Sequence, residues 1–137
     1  MTGYKTVLEL QVRFRDTDAM GHINNAVYLS YLELARLEYL RRVYGITESK
    51  DFGIILARVE IDYKSPGYLR DRIDIGVRVS SLGGASFEMV YRVEERTSGR
   101  LIAEAKTIQV SYDYAAGKVR RLTPEYIKKA KEYDGLA

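Results

Sequence analysis

From about Asn24 to Tyr44 the chain contains neither Gly nor Pro, and Gly45 follows as a helix stop. Its polar members, Ser30, Glu33, Arg36, Glu38, Arg41 and Arg42, leave most of a helical circumference apolar. At 1.5 Å per residue such a helix is about 30 Å long. A helix this long and this apolar has to be enclosed by other elements. Glu38 and Arg42 stand four apart, so they are expected to pair on the exposed stripe.

The rest of the chain supplies the enclosure. Leu8 to Phe14 alternates apolar and polar residues, the pattern of a half-buried strand. Ile55, Ala57, Val59, Ile61 and Tyr63 alternate with Arg58, Glu60 and Asp62, and Ile73, Ile75, Val77 and Val79 with Asp74, Gly76 and Arg78. After a Gly83-Gly84 turn, Phe87, Met89, Tyr91 and Val93 continue the alternation. Thr97-Ser98-Gly99 marks another turn, and a strand-like stretch runs from about Leu101 to Tyr112. Asp113 to Lys118 reads as a turn, and Thr123-Pro124-Glu125 as N-cap, first residue and acidic first turn of a short closing helix. The order is strand, long helix, then about four strands joined mostly by tight hairpins. Tight hairpins mean antiparallel pairing, so the expected fold is α+β, one antiparallel β-sheet wrapped around the central helix. An open sheet leaves edges, and pairing between two chains covers them, so a dimer is expected.

Length and composition narrow the function. At 137 residues the chain fits a single domain, 1–137, with 46% hydrophobic and 30% charged residues. Its 22 Lys and Arg against 19 Asp and Glu give a net charge of +3, too small and too evenly spread to argue for nucleic acid. The absence of cysteine excludes disulfides, a thiol nucleophile and thiolate metal sites, and one histidine, His22, argues against a His-rich metal site or a His-based triad. No apolar run is long enough to span a membrane, and the opening Met1-Thr2-Gly3-Tyr4-Lys5 lacks the layout of a signal peptide, so the expected location is cytoplasmic.

Chemistry concentrates between the first strand and the helix. Residues 15–25 hold Asp16, Asp18, Gly21, His22, Asn24 and Asn25 just before the helix N-terminus. That end carries unpaired N–H groups and a partial positive charge, which suit a developing oxyanion in a dry pocket. A carboxylate a few residues upstream can attack or deprotonate a water. The same residues also have plainer uses. Asn24 or Asn25 can be the N-cap, Asp16 can bond turn amides or pair with Arg15, Asp18 can shape the turn, and a lone His at a loop–helix junction is often structural. The residues therefore suggest acyl transfer or hydrolysis without naming the reaction.

The run from Val12 to Leu29, VRFRDTDAMGHINNAVYL, resembles the opening motif of the 4-hydroxybenzoyl-CoA thioesterase-like proteins, hotdog-fold acyl-CoA thioesterases. The match continues loosely through Asp62-Tyr63-Lys64-Ser65-Pro66, Asp71 and Ser86-Phe87. The resemblance implies a hotdog fold, an acyl-CoA substrate, no metal or redox cofactor, and a homodimer or homotetramer with the acyl pocket at the interface. By resemblance Asp18 is the nucleophile or general base, and the amide N–H near Asn25 polarises the thioester carbonyl. His22 and Asn24 hold the loop or touch that carbonyl, and Tyr28 and Ser86 contact substrate. Tyr28, Tyr31 and Leu32 on the opening turns either line the acyl pocket or belong to the core.

Two departures from the family pattern stand out. The turn Leu82-Gly83-Gly84-Ala85-Ser86 carries no charge where the benzoyl-CoA enzymes place basic residues for coenzyme A phosphates. A phosphate clamp then has to come from elsewhere, with Arg58, Lys64, Arg120 and Arg121 as candidates. Met20 also stands where plant acyl-carrier-protein thioesterases have an Asn. The alternatives are an acyl-carrier-protein thioesterase, a non-catalytic acyl-CoA sensor, for which Asp18 would be superfluous, and a hotdog dehydratase, which wants a His and an acid in one pocket.

Overall fold

A computed structural model describes residues 1–48, 51 and 53–137. The elements are β1 (Thr6–Gln11), a 3-10 turn (Phe14–Asp16), α1 (Val27–Tyr44), β2 (Ile54–Tyr63), β3 (Arg72–Leu82), β4 (Ser86–Glu95), β5 (Leu101–Asp113), β6 (Lys118–Val119) and α2 (Pro124–Asp134). One antiparallel sheet runs β1-β3-β4-β5-β2, with the short β6 paired to β5. The inward row, Ile73, Ile75, Val77 and Val79 with Phe87, Met89, Tyr91 and Val93, is almost wholly buried. It packs against Tyr28, Tyr31, Leu32, Ala35 and Tyr39 of α1. This is the sheet wrapped around a helix that the alternation predicts: the hotdog fold. Among the described residues no helix is long and apolar enough to cross a membrane.

Local rules account for several boundaries. Gly45 ends α1 at φ 68°, its N–H bonding the carbonyls of Arg41 and Leu40. Thr123 caps α2, its hydroxyl accepting from Tyr126 N at 3.1 Å. Glu38 bonds Arg42 at 2.7 Å and Arg41 at 2.8 Å.

Other boundaries differ from the sequence reading. The first strand stops at Gln11, because Asp16 draws the chain from Arg13 into a 3-10 turn and leaves Phe14 80% exposed. α1 begins at Val27 rather than Asn24. Its N-cap is Ala26, while Asn24 forms the preceding turn by accepting Ala26 N at 2.9 Å through its side chain and Val27 N at 2.9 Å through its carbonyl. Neither Asn24 nor Asn25 is therefore the cap. In β2 a bulge between Leu56 and Arg58 breaks the alternation, so Ile55 falls out of phase with Val59. None of the β2 side chains is fully buried. The strand pairs only with β5, and its other edge is open among the described residues.

Arg36 departs most. It is a polar member of the helix pattern, yet it is only 7% exposed, whereas Leu29 and Leu34 are each 45% exposed.

Candidate active site

The loop from Arg13 to Ala26 is a small hairpin. Asp16 O accepts Asn24 N at 2.8 Å, Thr17 bridges Ile23, and His22 O accepts Asp18 N at 2.8 Å. Gly21 closes the tip at φ 78°, a left-handed conformation that strains any residue with a Cβ. Cross-strand geometry therefore sets Asp18 directly opposite His22.

The two acidic residues have different surroundings. Asp16 is buried at 2% exposure and its carboxylate is fully engaged. It accepts Arg13 N at 2.9 Å, the Arg13 guanidinium at 2.9 Å, and the Tyr31 phenol at 2.8 Å. Burial by itself raises its pKa, but the bonds from Arg13 and Tyr31 outweigh that and hold it below its ordinary value. Asp16 is thus a structural anchor. Asp18 is exposed, and its Oδ1 accepts Met20 N at 2.9 Å and His22 N at 3.3 Å. Among the described residues its Oδ2 has no partner, so one oxygen is fixed by the turn and the other is available.

The helix start supplies the second half of the site. Asn24 N, Ala26 N and Val27 N are all bonded, whereas Asn25 N has no acceptor among the described residues. Asn25 is itself held by the Tyr63 hydroxyl, which donates to its carbonyl at 2.9 Å. Tyr28 is 2% exposed and packs edge-on against Tyr31 and Tyr63, with ring centroids 5.9 and 5.3 Å away. Burial pushes its phenol up to about 12. Tyr28, Tyr31 and Leu32 all belong to the core.

A second loop, not assigned to the site in the sequence, supports the first. Ile23 N donates to Gly67 O at 2.8 Å, and the rings of His22 and Tyr68 meet at 81° and 5.3 Å. Arg100 ties that loop down through Asp71 at 2.8 Å and Ser65 at 2.9 Å, its guanidinium lying 5.7 Å from the Tyr68 ring centre. Tyr63, Tyr68 and Arg100 lie far from the motif in sequence, and only the Asp62–Pro66 and Asp71 matches hinted at them.

Asp18, His22, Asn24 and Asn25 therefore share one hairpin loop that runs into the helix start at Tyr28, and Ser86 does not join them. It pairs with Val110, which also pairs with Ile55, so it lies level with the start of β2, while Asn25 lies at the Tyr63 end. Along β5, seven residues separate Val110 from Ala103, the partner of Tyr63, about 23 Å. Arg120 and Arg121 lie at the Ser86 end, beside Gly53 and Gly84. Arg58 pairs with Glu60 on β2.

Known proteins share this fold. Residues 12–130 match the thioesterase-like superfamily. A crystal structure of a thioesterase complexed with coenzyme A and Zn from Thermus thermophilus superposes with TM-score 0.89 at 34% identity, covering 98% of both chains. A 1,4-dihydroxy-2-naphthoyl-CoA hydrolase of Crocosphaera subtropica is 34% identical over 118 residues, 82% of this chain and 83% of the relative. The acyl-CoA thioester hydrolase YbgC of Escherichia coli is 25% identical over 126 residues, 90% of this chain and 93% of the relative. With the hotdog sheet and helix formed and the match running from the Asp18 loop into α2, the chain belongs to the thioesterase-like superfamily and is a thioester hydrolase.

Proposed function

We propose that this protein hydrolyses acyl-CoA thioesters at the corner formed by Asp18 and the start of α1. The observation that carries the reading is the presence, in one short loop, of a carboxylate oxygen and a helix-N-terminal amide N–H that have no partner among the described residues. The Asn25 N–H and the positive helix end would hold the thioester oxygen as it gains charge. Asp18 then takes a proton from water as the water oxygen bonds to the carbonyl carbon, or its Oδ2 attacks that carbon itself. In either route the C–S bond breaks and coenzyme A leaves as a thiolate, a good leaving group that needs little acid assistance, and in the second route water then cleaves the acyl–Asp18 anhydride to the free acid and the carboxylate. His22, opposite Asp18 and packed on Tyr68, holds the loop in this reading. The coenzyme A structure of the Thermus relative and the printed activities of the Crocosphaera and Escherichia relatives support coenzyme A over a carrier protein.

The functional unit in this reading is a dimer joined by antiparallel pairing of two β2 edges. The open edge and the half-exposed inward residues Leu56 and Tyr63 support it. Antiparallel pairing would bring the Ser86 end of one protomer beside the Asp18 end of its partner. Ser86, Arg120 and Arg121 could then serve the partner's site, the two arginines as phosphate contacts. A thiol-release assay over a panel of acyl-CoAs, comparing wild type with Asp18→Asn, tests the proposal. Turnover by wild type that is lost in the variant is expected, and full activity in the variant would remove Asp18 from the chemistry.

A further inference from the structure

Arg36 stands apart from the other charged residues of the fold. It lies on the α1 stripe of Tyr28 and Leu32, four residues apart, and reaches into the sheet. Its guanidinium donates to the Tyr91 hydroxyl at 3.0 Å, and that hydroxyl bonds Thr107 Oγ1 at 2.6 Å. Tyr91 and Thr107 are each 1% exposed. Among the described residues Arg36 has no carboxylate partner, unlike Arg13, Arg41, Arg42, Arg92, Arg96 and Arg100. A guanidinium has five N–H donors and no acceptor, and burying it without a counter-charge is costly. The cluster is rich in donors, positive and nine-tenths buried, so its complement is an anionic oxygen.

Its position relates it to the thioester corner. Tyr63, which holds Asn25, pairs with Ala103 on β5, and Thr107 is four residues further along the same inward row, about 13 Å. Along α1, Arg36 is nine residues beyond Val27, about 14 Å from the helix start. The strand and the helix thus each carry the polar cluster a similar distance away from the end that holds Asn25. Between the two points β5 turns small apolar side chains inward, Ala103 and Ala105, both buried in the core beside the half-buried Ile61 of β2. We propose that Arg36, backed by Tyr91 and Thr107, is a specificity-determining residue that receives the far end of an acyl chain terminated by a carboxylate, favouring medium-length ω-carboxyacyl-CoA substrates. The inference rests on the thioesterase reading above.

The test measures kcat/KM for decanedioyl-CoA and for decanoyl-CoA in wild type, Arg36→Met and Thr107→Val. A charge-assisted bond of about 1.5–3 kcal/mol corresponds to a preference of roughly ten- to a hundredfold. Wild type is expected to favour decanedioyl-CoA by that factor. Arg36→Met should bring the ratio to about one or below, and Thr107→Val, which keeps the charge and the shape, should lower it severalfold. A wild-type ratio near one, or one that neither variant changes, overturns the proposal. So does an Arg36→Met protein that light scattering finds dissociated where wild type is a dimer, since that assigns the arginine to a carboxylate of a second copy. Calorimetric binding of free decanedioate against decanoate gives the same comparison without turnover. A wild type that hydrolyses neither ester but binds decanedioate more tightly would defeat the thioesterase reading alone, and equal binding of the two acids would defeat this one.

Discussion

Tyr31, in the second turn of α1, donates its hydroxyl to Asp16 Oδ2 at 2.8 Å, while Arg13 holds Oδ1 of the same carboxylate at 2.9 Å. The loop that carries Asp18 is thereby fastened to the central helix at a buried point. Asp16→Ala would leave the Tyr31 phenol without its acceptor, at a cost of about 1–3 kcal/mol. Urea unfolding followed by circular dichroism is expected to show that loss, and Tyr31→Phe is expected to lose less because Arg13 still satisfies the carboxylate.

The same carboxylate sets a pH dependence. Its pKa in the fold lies below its ordinary value of 3.8, so it stabilises the folded protein above that value and the contribution disappears as pH falls through the lower, folded value. The urea midpoint of wild type should therefore drop more steeply on acidification below about pH 4 than that of Asp16→Asn. Parallel curves would show that the shift has no weight in stability.

Asp18→Asn preserves the turn, because a carboxamide oxygen still accepts Met20 N, but removes the base or nucleophile of the proposed mechanism. Thiol release should fall by roughly a hundredfold or more with unfolding behaviour unchanged. His22→Ala is expected to cost less, about tenfold, since departure of a thiolate asks for no general acid. Equal losses in the two variants would mean that His22 takes part in the chemistry or fixes Asp18 in place.

Tyr63 acts on the helix start through one bond to the Asn25 carbonyl. Tyr63→Phe removes that bond and keeps the ring that packs on Tyr28. Stability should change by no more than about 1 kcal/mol for so exposed a hydroxyl, while thiol release should decline severalfold as the Asn25 N–H loses its fixed orientation. A large stability loss with unchanged kcat would reassign Tyr63 to packing.

The open β2 edge leads to a prediction about assembly. Wild type should scatter light as a dimer or larger at micromolar concentration. Val59→Pro, in the strand's second half, should disfavour edge pairing and lower activity along with mass. An active wild-type monomer would contradict a site shared between chains.

Much of this architecture is local in origin and legible in the chain. Period-two alternation at Ile73–Val79 and Phe87–Val93 specifies strands with one buried face, and Gly45 and Thr123-Pro124 mark helix ends by backbone chemistry that needs no distant partner. The Asp16-to-Asn25 block likewise marks a candidate site, and its residues share one hairpin because fewer than a dozen positions separate them. Tertiary structure decided the rest. Periodicity tells which face of an element is apolar but not what will cover it, so Arg36 reads as a surface residue until Tyr91 and Thr107 arrive from strands more than fifty positions away. The same limit explains why the alternating β2 is left half-exposed at a sheet edge and why Ser86 stands at the far end of the protomer from Asp18: both follow from strand order and register, which are set by contacts across the whole sheet.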